Sequence, residues 1–451
     1  MVSGLVVAGA LAAAGTAAAA TDETPRTQGG ATATIGGLKT YGTAVIHGTG
    51  GDQQVSAGLF EMSVDGGGTL QTYCVDLDNP TQRDAKYQET SWSGTSLGAN
   101  KNAGRIRWIL ENSYPQVNDL AALAEKAGAG GLSEQDAAAG TQVAIWRYSD
   151  GADVDAADPQ AEKLADWLEK HARDLAEPKA SLTLDPPAIS GHPGGLLGPV
   201  TVHTDAASVT VIPAANEGTS GARIVGEDGE PITSAANGGK IYFEVPEDAA
   251  DGSLEVTVQA STTVPVGRAF TSENRSQTQI LAGSSESTVS ATASATWAAK
   301  GAVPALSARR DCAHSALAIA AANQGDEAFT FGLMGVTYTI PAATTRTVTV
   351  PLQEDQSYDF TISGPNGTSE RFTGVLDCKT QSSTAGDSVQ TLSGPSPVSA
   401  GITKDTTTGT DLADTGGSTM TPLIAGVAIG FVVLGGAALV LSRRKEARAN
   451  D

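Results

Sequence analysis

Cys74 and Gln142 are the side chains whose types and settings first suggest chemistry. Cys74 stands in Tyr73-Cys74-Val75-Asp76, and Gln142 in Thr141-Gln142-Val143-Ala144-Ile145-Trp146. Helical spacing puts Ala138, Gln142, Ile145 and Trp146 on one face. Gln142 is therefore expected to point with Ile and Trp toward a core, where an amide needs hydrogen-bond partners. Cys74 lies near the end of an expected strand, alternating with Tyr73 and Val75. A buried amide and an unpaired thiol near the core of one small domain can meet, but spacing alone does not bring them together. Taken singly, Cys74 reads as a small inert core residue and Gln142 as an amide bonded to helix or loop backbone. A Cys74–His47 or Cys74–His171 protease pair is a further option, although no local signature of such enzymes is present. The five histidines show no metal spacing. The acidic run Asp150 to Asp158 lacks the Gly and Glu positions of a calcium loop, and reads as a solvated loop and helix start.

The two motifs together resemble the halves of the thioester domain (TQXA type) of Gram-positive surface proteins. The resemblance covers roughly the first third of the chain, with Cys74 and Gln142 at the motif positions. It implies a cross-link in which the Cys74 sulfur joins the Gln142 side-chain carbonyl with loss of ammonia. The bond is then a stored acyl electrophile, open to an amine on a target. That implies a single-turnover acyl transfer rather than an enzyme, with no catalytic residues, cofactor or metal. The alternative is a passive structural wall or stalk protein without a reactive bond.

Both ends read as targeting segments. Residues 1–20 are small and apolar and close in Ala17-Ala18-Ala19-Ala20, as in a secretory signal, although no Lys or Arg precedes them. Leu423 to Leu441 offers about 19 apolar residues, enough to span a bilayer core. Arg443, Arg444 and Lys445 follow and would keep the tail inside. Leu412-Ala413-Asp414-Thr415-Gly416, just before the span, resembles an LAXTG-type sortase sorting signal. The expected location is the cell wall of a Gram-positive bacterium, reached through a membrane-inserted precursor. The expected partners are sortase, peptidoglycan and an unknown amine-bearing surface target, and the membrane only through the sorting helix.

Three cysteines in an exported protein leave one unpaired. Cys312 and Cys378 flank one β-rich segment, so the natural disulfide joins them and leaves Cys74 as the odd thiol. Closing that loop stabilises by about 4 kcal/mol in the chain-entropy view.

The fold class expected is multidomain: a mixed α/β head with a β-sheet core and helices, two all-β sandwich modules, a disordered stalk and a C-terminal transmembrane helix. The head is placed at 35–178. Strands are expected at Thr43 to His47, Gly58 to Val64 and Leu70 to Asp76, with Asp65-Gly66-Gly67-Gly68 turning between the last two. Helices are expected from Asn102 to Asn112, from Asp119 to Ala127, from Ser133 with a capping box, and from Asp158-Pro159 with Leu164, Leu168 and Leu175 inward. Residues 180–303 and 304–379 alternate Val, Thr and Ser between Gly and Pro, the texture of β-sandwiches. A Gly364-Pro365-Asn366-Gly367 hairpin turn falls in the second. Residues 380–411 are a Ser/Thr/Gly/Pro stalk that cannot bury a core.

Composition sets the outer bounds. A chain of 451 residues exceeds one ordinary domain. A net charge of −22 argues against nucleic acid and anionic lipid as partners.

Overall fold

The computed structural model describes residues 29–214, 221–272 and 276–379. The expected signal, stalk, sorting pentapeptide and Leu423 to Leu441 span lie outside the described residues. Among the described residues, no helix is long and apolar enough to cross a membrane.

The head is built on long antiparallel strands. β1 (Thr32–Ile46) pairs along its length with β2 (Gln53–Val64), and β2 pairs with β3 (Thr69–Cys74). The turn between β2 and β3 places Gly66, Gly67 and Gly68 at φ of 86°, 118° and 107°. Side-chain-bearing residues rarely adopt that region, which is why three glycines stand there. β4 (Lys86–Thr90) and β5 (Val154–Ala156) add to opposite ends of β1.

Two strands of this sheet come from far along the chain. Ala269–Ser272 pairs with β4, Gln279–Ser284 pairs with β3, and the two pair with each other. Because β1 also pairs with β2, the sheet closes on itself through this hairpin, with the short β5 left at its edge. The expected boundaries at 35–178 and 180–303 therefore follow composition, not hydrogen bonding. Val/Thr/Ser texture marks a strand but not the sheet it joins.

A buried ion pair fastens the hairpin. Arg268 Nε donates to Glu89 Oε1 at 2.9 Å, and its Nη1 donates to Glu177 Oε1 at 2.8 Å. Glu89 also accepts from the Ala31 and Ser181 main-chain N–H groups and from the Ser181 hydroxyl. A carboxylate removed from water needs such a set of donors.

Four helices pack on the sheet: α1 (Ala103–Asn112), α2 (Leu120–Ala127), α3 (Glu134–Ser149) and α4 (Pro159–His171). Their starts are the ones the residues predict. Asp119 caps α2, which stops at Gly128 with φ 65°. Ser133 and Asp136 form the capping box of α3, and Asp158 with Pro159 opens α4. Two expectations change. Leu175 lies beyond the end of α4 and is half-buried. In α3 every residue from Ala137 to Trp146 is buried, so Gln142 belongs to a helix enclosed on all sides rather than to one inward face. Small residues make that enclosure possible: Gly140 lies so close to the Ala161 carbonyl of α4 that no Cβ fits.

The middle segment forms two facing sets of strands. One sheet orders Arg223–Val225, Lys240–Val245, Gly195–Thr204 and Leu182–Asp185. The other runs Ser234–Ala235, Val209–Pro213, Gly252–Thr263, Glu286–Trp297 and Ala188–Gly191. Their buried side chains share one continuous core with the head. The last segment has its own core. It consists of a sheet of Pro304–Asp311, Ala316–Asn323 and Thr344–Pro351 with two hairpins, Phe329–Leu333/Val336–Ile340 and Gln356–Ser363/Ser369–Leu376. Pro365–Gly367 turns the second hairpin, as expected. Cys312 and Cys378 are joined by a disulfide of 2.04 Å.

Candidate functional site

Cys74 ends β3 and is 3% exposed, while Gln142 in the middle of α3 is fully buried. The fold brings them together. Gln142 Nε2 donates to the Cys74 carbonyl oxygen at 2.9 Å, and the Cys74 N–H donates to Gln142 Oε1 at 3.0 Å. The amide thus grips the main chain of Cys74 on both sides of the Cα that carries the sulfur. Gln142 is a main-chain-bonded glutamine, as one of the plain readings had it, and the main chain it binds is that of Cys74.

This clamp has chemical consequences. It takes both polar atoms of the Gln142 amide and fixes the Cys74 main chain. Cys74 and Gln142 are both buried in a dry site, the condition under which effective molarities become very large.

The sulfur has its own partner. Gln279 Nε2 donates to Cys74 Sγ at 3.3 Å, while Gln279 Oε1 accepts from the Thr72 hydroxyl at 2.9 Å. Gln279 is fully buried on the inserted hairpin, directly opposite Cys74 in the strand register. Thr81 lies beside it and receives Gln277 Nε2. Burial pushes the Cys74 thiol up to about 12, against the opposing pull of Gln279 and Thr81. Enzymic cysteines are activated by a lowered pKa. This thiol instead stays protonated and shielded from solvent, in contact with buried amides.

Acidic groups cluster beside the loop that follows Cys74. Asp76 is 3% exposed, and its Oδ1 has no hydrogen-bond partner. Burial, with Asp150, Asp377 and Asp78 nearby, pushes its carboxyl up to about 8. Asp150 accepts from the Leu77 N–H at 3.1 Å and from the Ser149 hydroxyl at 2.6 Å, and burial raises it to about 7. Asp150 therefore supports the Cys74 loop, where the acidic run was expected to be a solvated loop. The later acids of the run keep the expected role, with Asp158 capping α4.

The histidines lie elsewhere. His47 bonds Asp52 and Asp155 at the surface, and His171 Nδ1 lies 2.7 Å from the Trp167 carbonyl oxygen. For a metal, the described residues offer Glu354, Asp355 and Asp377, whose carboxylate oxygens lie within 4.8 Å of one another. Glu354 Oε1 already accepts the Cys378 and Lys379 N–H groups.

Residues 71–174 match the family described as the thioester domain, a span that contains both Cys74 and Gln142. This chain carries a thioester domain. The matched segment holds the end of β3, β4, β5 and all four helices, but not the hairpin that delivers Gln279 to the sulfur. Residues 304–375 match a second family, described as the C-terminal domain of bacterial phospholipase C. Among solved structures, the chain is similar to the Bacillus anthracis TIE protein at 15% identity and a TM-score of 0.28, over 76% of this chain. It spans 63% of the length of that protein. The thioester domain of the Enterococcus faecium TIE86 protein matches at 16% identity and a TM-score of 0.28, over 59% of this chain and 96% of that one. The Escherichia coli chaperone DraB matches at 12% identity and a TM-score of 0.16, over 44% of this chain and 97% of that one. None of the curated proteins matches.

Sequence reasoning placed Cys74, Gln142 and the disulfide, but missed Gln279, Thr72, Thr81 and Asp76. A signal for Gln279 existed: one amide opening the apolar run Ile280-Leu281-Ala282 of a strand needs a buried partner.

Proposed function

We propose that this protein attaches covalently to its target through a thioester between Cys74 and Gln279, the glutamine whose amide meets the sulfur, and that Gln142, the partner expected from the sequence, instead holds the Cys74 main chain. The observation that carries the reading is the Gln279 amide nitrogen 3.3 Å from the Cys74 sulfur, at the directly paired position of the neighbouring strand. In the forming step the sulfur attacks Gln279 Cδ and a C–S bond forms. The Cδ–Nε2 bond then breaks, and the thiol proton leaves with the nitrogen as ammonia. In the spending step a target amine attacks the same carbon. A C–N bond forms, the C–S bond breaks with its electron pair going to sulfur, and the amine's proton ends on the Cys74 thiol. The amide product is permanent, so each molecule acts once, as an adhesin does and an enzyme does not.

The thioester domain supports a place at the cell surface. The Leu412 to Gly416 pentapeptide, the apolar run and the basic tail support anchoring there. Sortase would cut between Thr415 and Gly416 and join Thr415 to peptidoglycan, leaving the head to meet a target amine.

Intact mass of the full chain tests the central claim. The wild type is expected to weigh one ammonia less than its sequence and to resist thiol reagents. Methylamine is expected to add at Gln279 and free Cys74 in the same step, and an adduct at Gln142 would overturn the assignment. Cys74→Ala is expected to keep its ammonia and take up no amine. A wild type of full sequence mass with no methylamine adduct would leave a passive wall protein.

A further inference from the structure

We propose that Asp76 carries the proton of the coupling reaction: its carboxylate takes a proton from the attacking amine and hands it to the Cys74 sulfur. The proposal rests on the thioester reading above and adds the group that moves the proton. Asp76 follows Cys74 by two residues, is 3% exposed, and lies near enough to the sulfur to disfavour a thiolate there. The Asp78 main-chain N–H bonds its carboxyl, while Oδ1 has no hydrogen-bond partner among the described residues. A buried carboxyl oxygen left without a donor is costly. An incoming ammonium supplies the missing donor.

The chemistry requires such a group. When an amine attacks the thioester carbon, Gln279 Cδ, a C–N bond forms and the nitrogen becomes cationic. As the C–S bond breaks, its electron pair moves onto sulfur. A thiolate is disfavoured here, because burial pushes the Cys74 thiol up to about 12. A carboxylate that accepts the N–H proton and then gives it to sulfur removes both charges and ends as it began. The neighbouring groups are already engaged. Asp150 accepts the Leu77 N–H with Oδ1 and the Ser149 hydroxyl with Oδ2. Tyr87 donates its hydroxyl to the Gln277 carbonyl oxygen, and burial keeps it protonated. His47, His171, His192 and His314 bond groups outside the site.

Acidic groups face Asp76 from three elements: Asp150 at the end of α3, Asp377 after the last strand of the stapled module, and Asp78 on its own loop. Asp377 in turn faces Glu354, Asp355 and Arg310. Burial first, and then these neighbours, hold the Asp76 carboxyl up to about 8. The group therefore changes between acid and base near neutral pH, where a proton carrier works best. The bond from the Leu77 N–H to Asp150 fixes the loop that bears it.

The test uses the full chain and methoxyamine, a weakly basic amine that stays unprotonated throughout the pH series. Uptake is followed by intact mass, starting from protein that lacks one ammonia. The wild-type rate is expected to rise with an inflection at pH about 8 and then level, because Asp76 must be ionised to accept the proton. Asp76→Asn is expected to lose the inflection and to react slower by about 10²–10⁴-fold, the usual worth of a positioned acid–base group. A merely structural carboxyl would change the melting temperature and leave the profile in place. Should Asp76→Asn not fold, Asp377→Asn decides. It removes an acidic neighbour of Asp76 from the separate last module, and the inflection is expected to move to lower pH. A flat wild-type profile, an inflection retained in Asp76→Asn, or one unmoved by Asp377→Asn overturns the role of Asp76 and leaves the thioester in place. A wild type that never loses ammonia overturns the thioester reading, and this proposal falls with it.

Discussion

Cys74 and Cys378 are each 3% exposed and Cys312 is 6% exposed, yet the sulfurs meet different neighbours. In the last module each sulfur finds the other, and the bond closes a loop 66 residues apart in sequence. In the head the sulfur finds a glutamine amide from the inserted hairpin, while a second glutamine clamps its main chain. Burial is therefore not what separates an inert cysteine from a reactive one here. The partner does: a second sulfur gives a staple, and a pair of oriented amides gives an acyl site. The regions also differ in assembly. The stapled module is continuous in sequence and has its own core, whereas the reactive site is gathered from residues near 74, 142 and 279.

The sharpest way to break that contrast is to unfasten the hairpin. Arg268→Ala leaves Glu89 buried with its cation removed, and a loss of about 3–5 kcal/mol is expected. Because the hairpin carries Gln279, methylamine uptake is expected to fall with it. Denaturant titration alongside adduct mass checks both, and a stable variant with full uptake would show that the head does not depend on the hairpin.

Opening the staple is expected to cost about 2–4 kcal/mol. Replacing Cys312 and Cys378 together with Ala should lower the melting transition of the last module, while the head still loses its ammonia. Loss of the head's mass shift in that variant would mean that the two cysteine regions are coupled.

Protons offer a finer probe. Asp76 is raised from 3.8 to about 8 in the folded chain by burial and its acidic neighbours. Below pH about 4 both states hold the proton. As pH rises from about 4 to about 8, the unfolded chain gains by ionising while the folded chain does not, so stability falls across that window and levels above it. Asp76→Asn is expected to flatten the slope in a series of melting temperatures. An unchanged slope would assign it to Asp150 and Asp377.

The smallest expected effect is local. Asp119→Ala removes the side chain that accepts the Ala122 N–H at 3.0 Å and is expected to cost about 1 kcal/mol. Methylamine uptake should not change, since α2 supplies none of the reactive groups.

Much of the head was legible because its signals are short-range. Asp119, the Ser133–Asp136 box, Asp158-Pro159, Gly128 and the Gly66 to Gly68 turn each act within a few residues, and the chain obeys them. Lys240 to Val245 and Val336 to Ile340 lie where alternation put them. The inward Gln142 was legible from helical period, though not the all-round burial of α3, because Ala and Gly carry little hydrophobic contrast. Leu175 was misplaced because a helical stripe does not announce that the helix stops at His171.

The residues alone determined the identities that matter most locally: an odd thiol, an amide on a buried helix, a pair of cysteines flanking one module, and the caps that set the helices. Only the tertiary structure decided that the odd thiol lies against Gln142 and Gln279, that a hairpin some 200 residues from β3 closes the head sheet, and that Glu89 and Arg268 fasten it. Strand period encodes which way a side chain faces but not which strand lies alongside. The partners of a buried amide are chosen by that pairing.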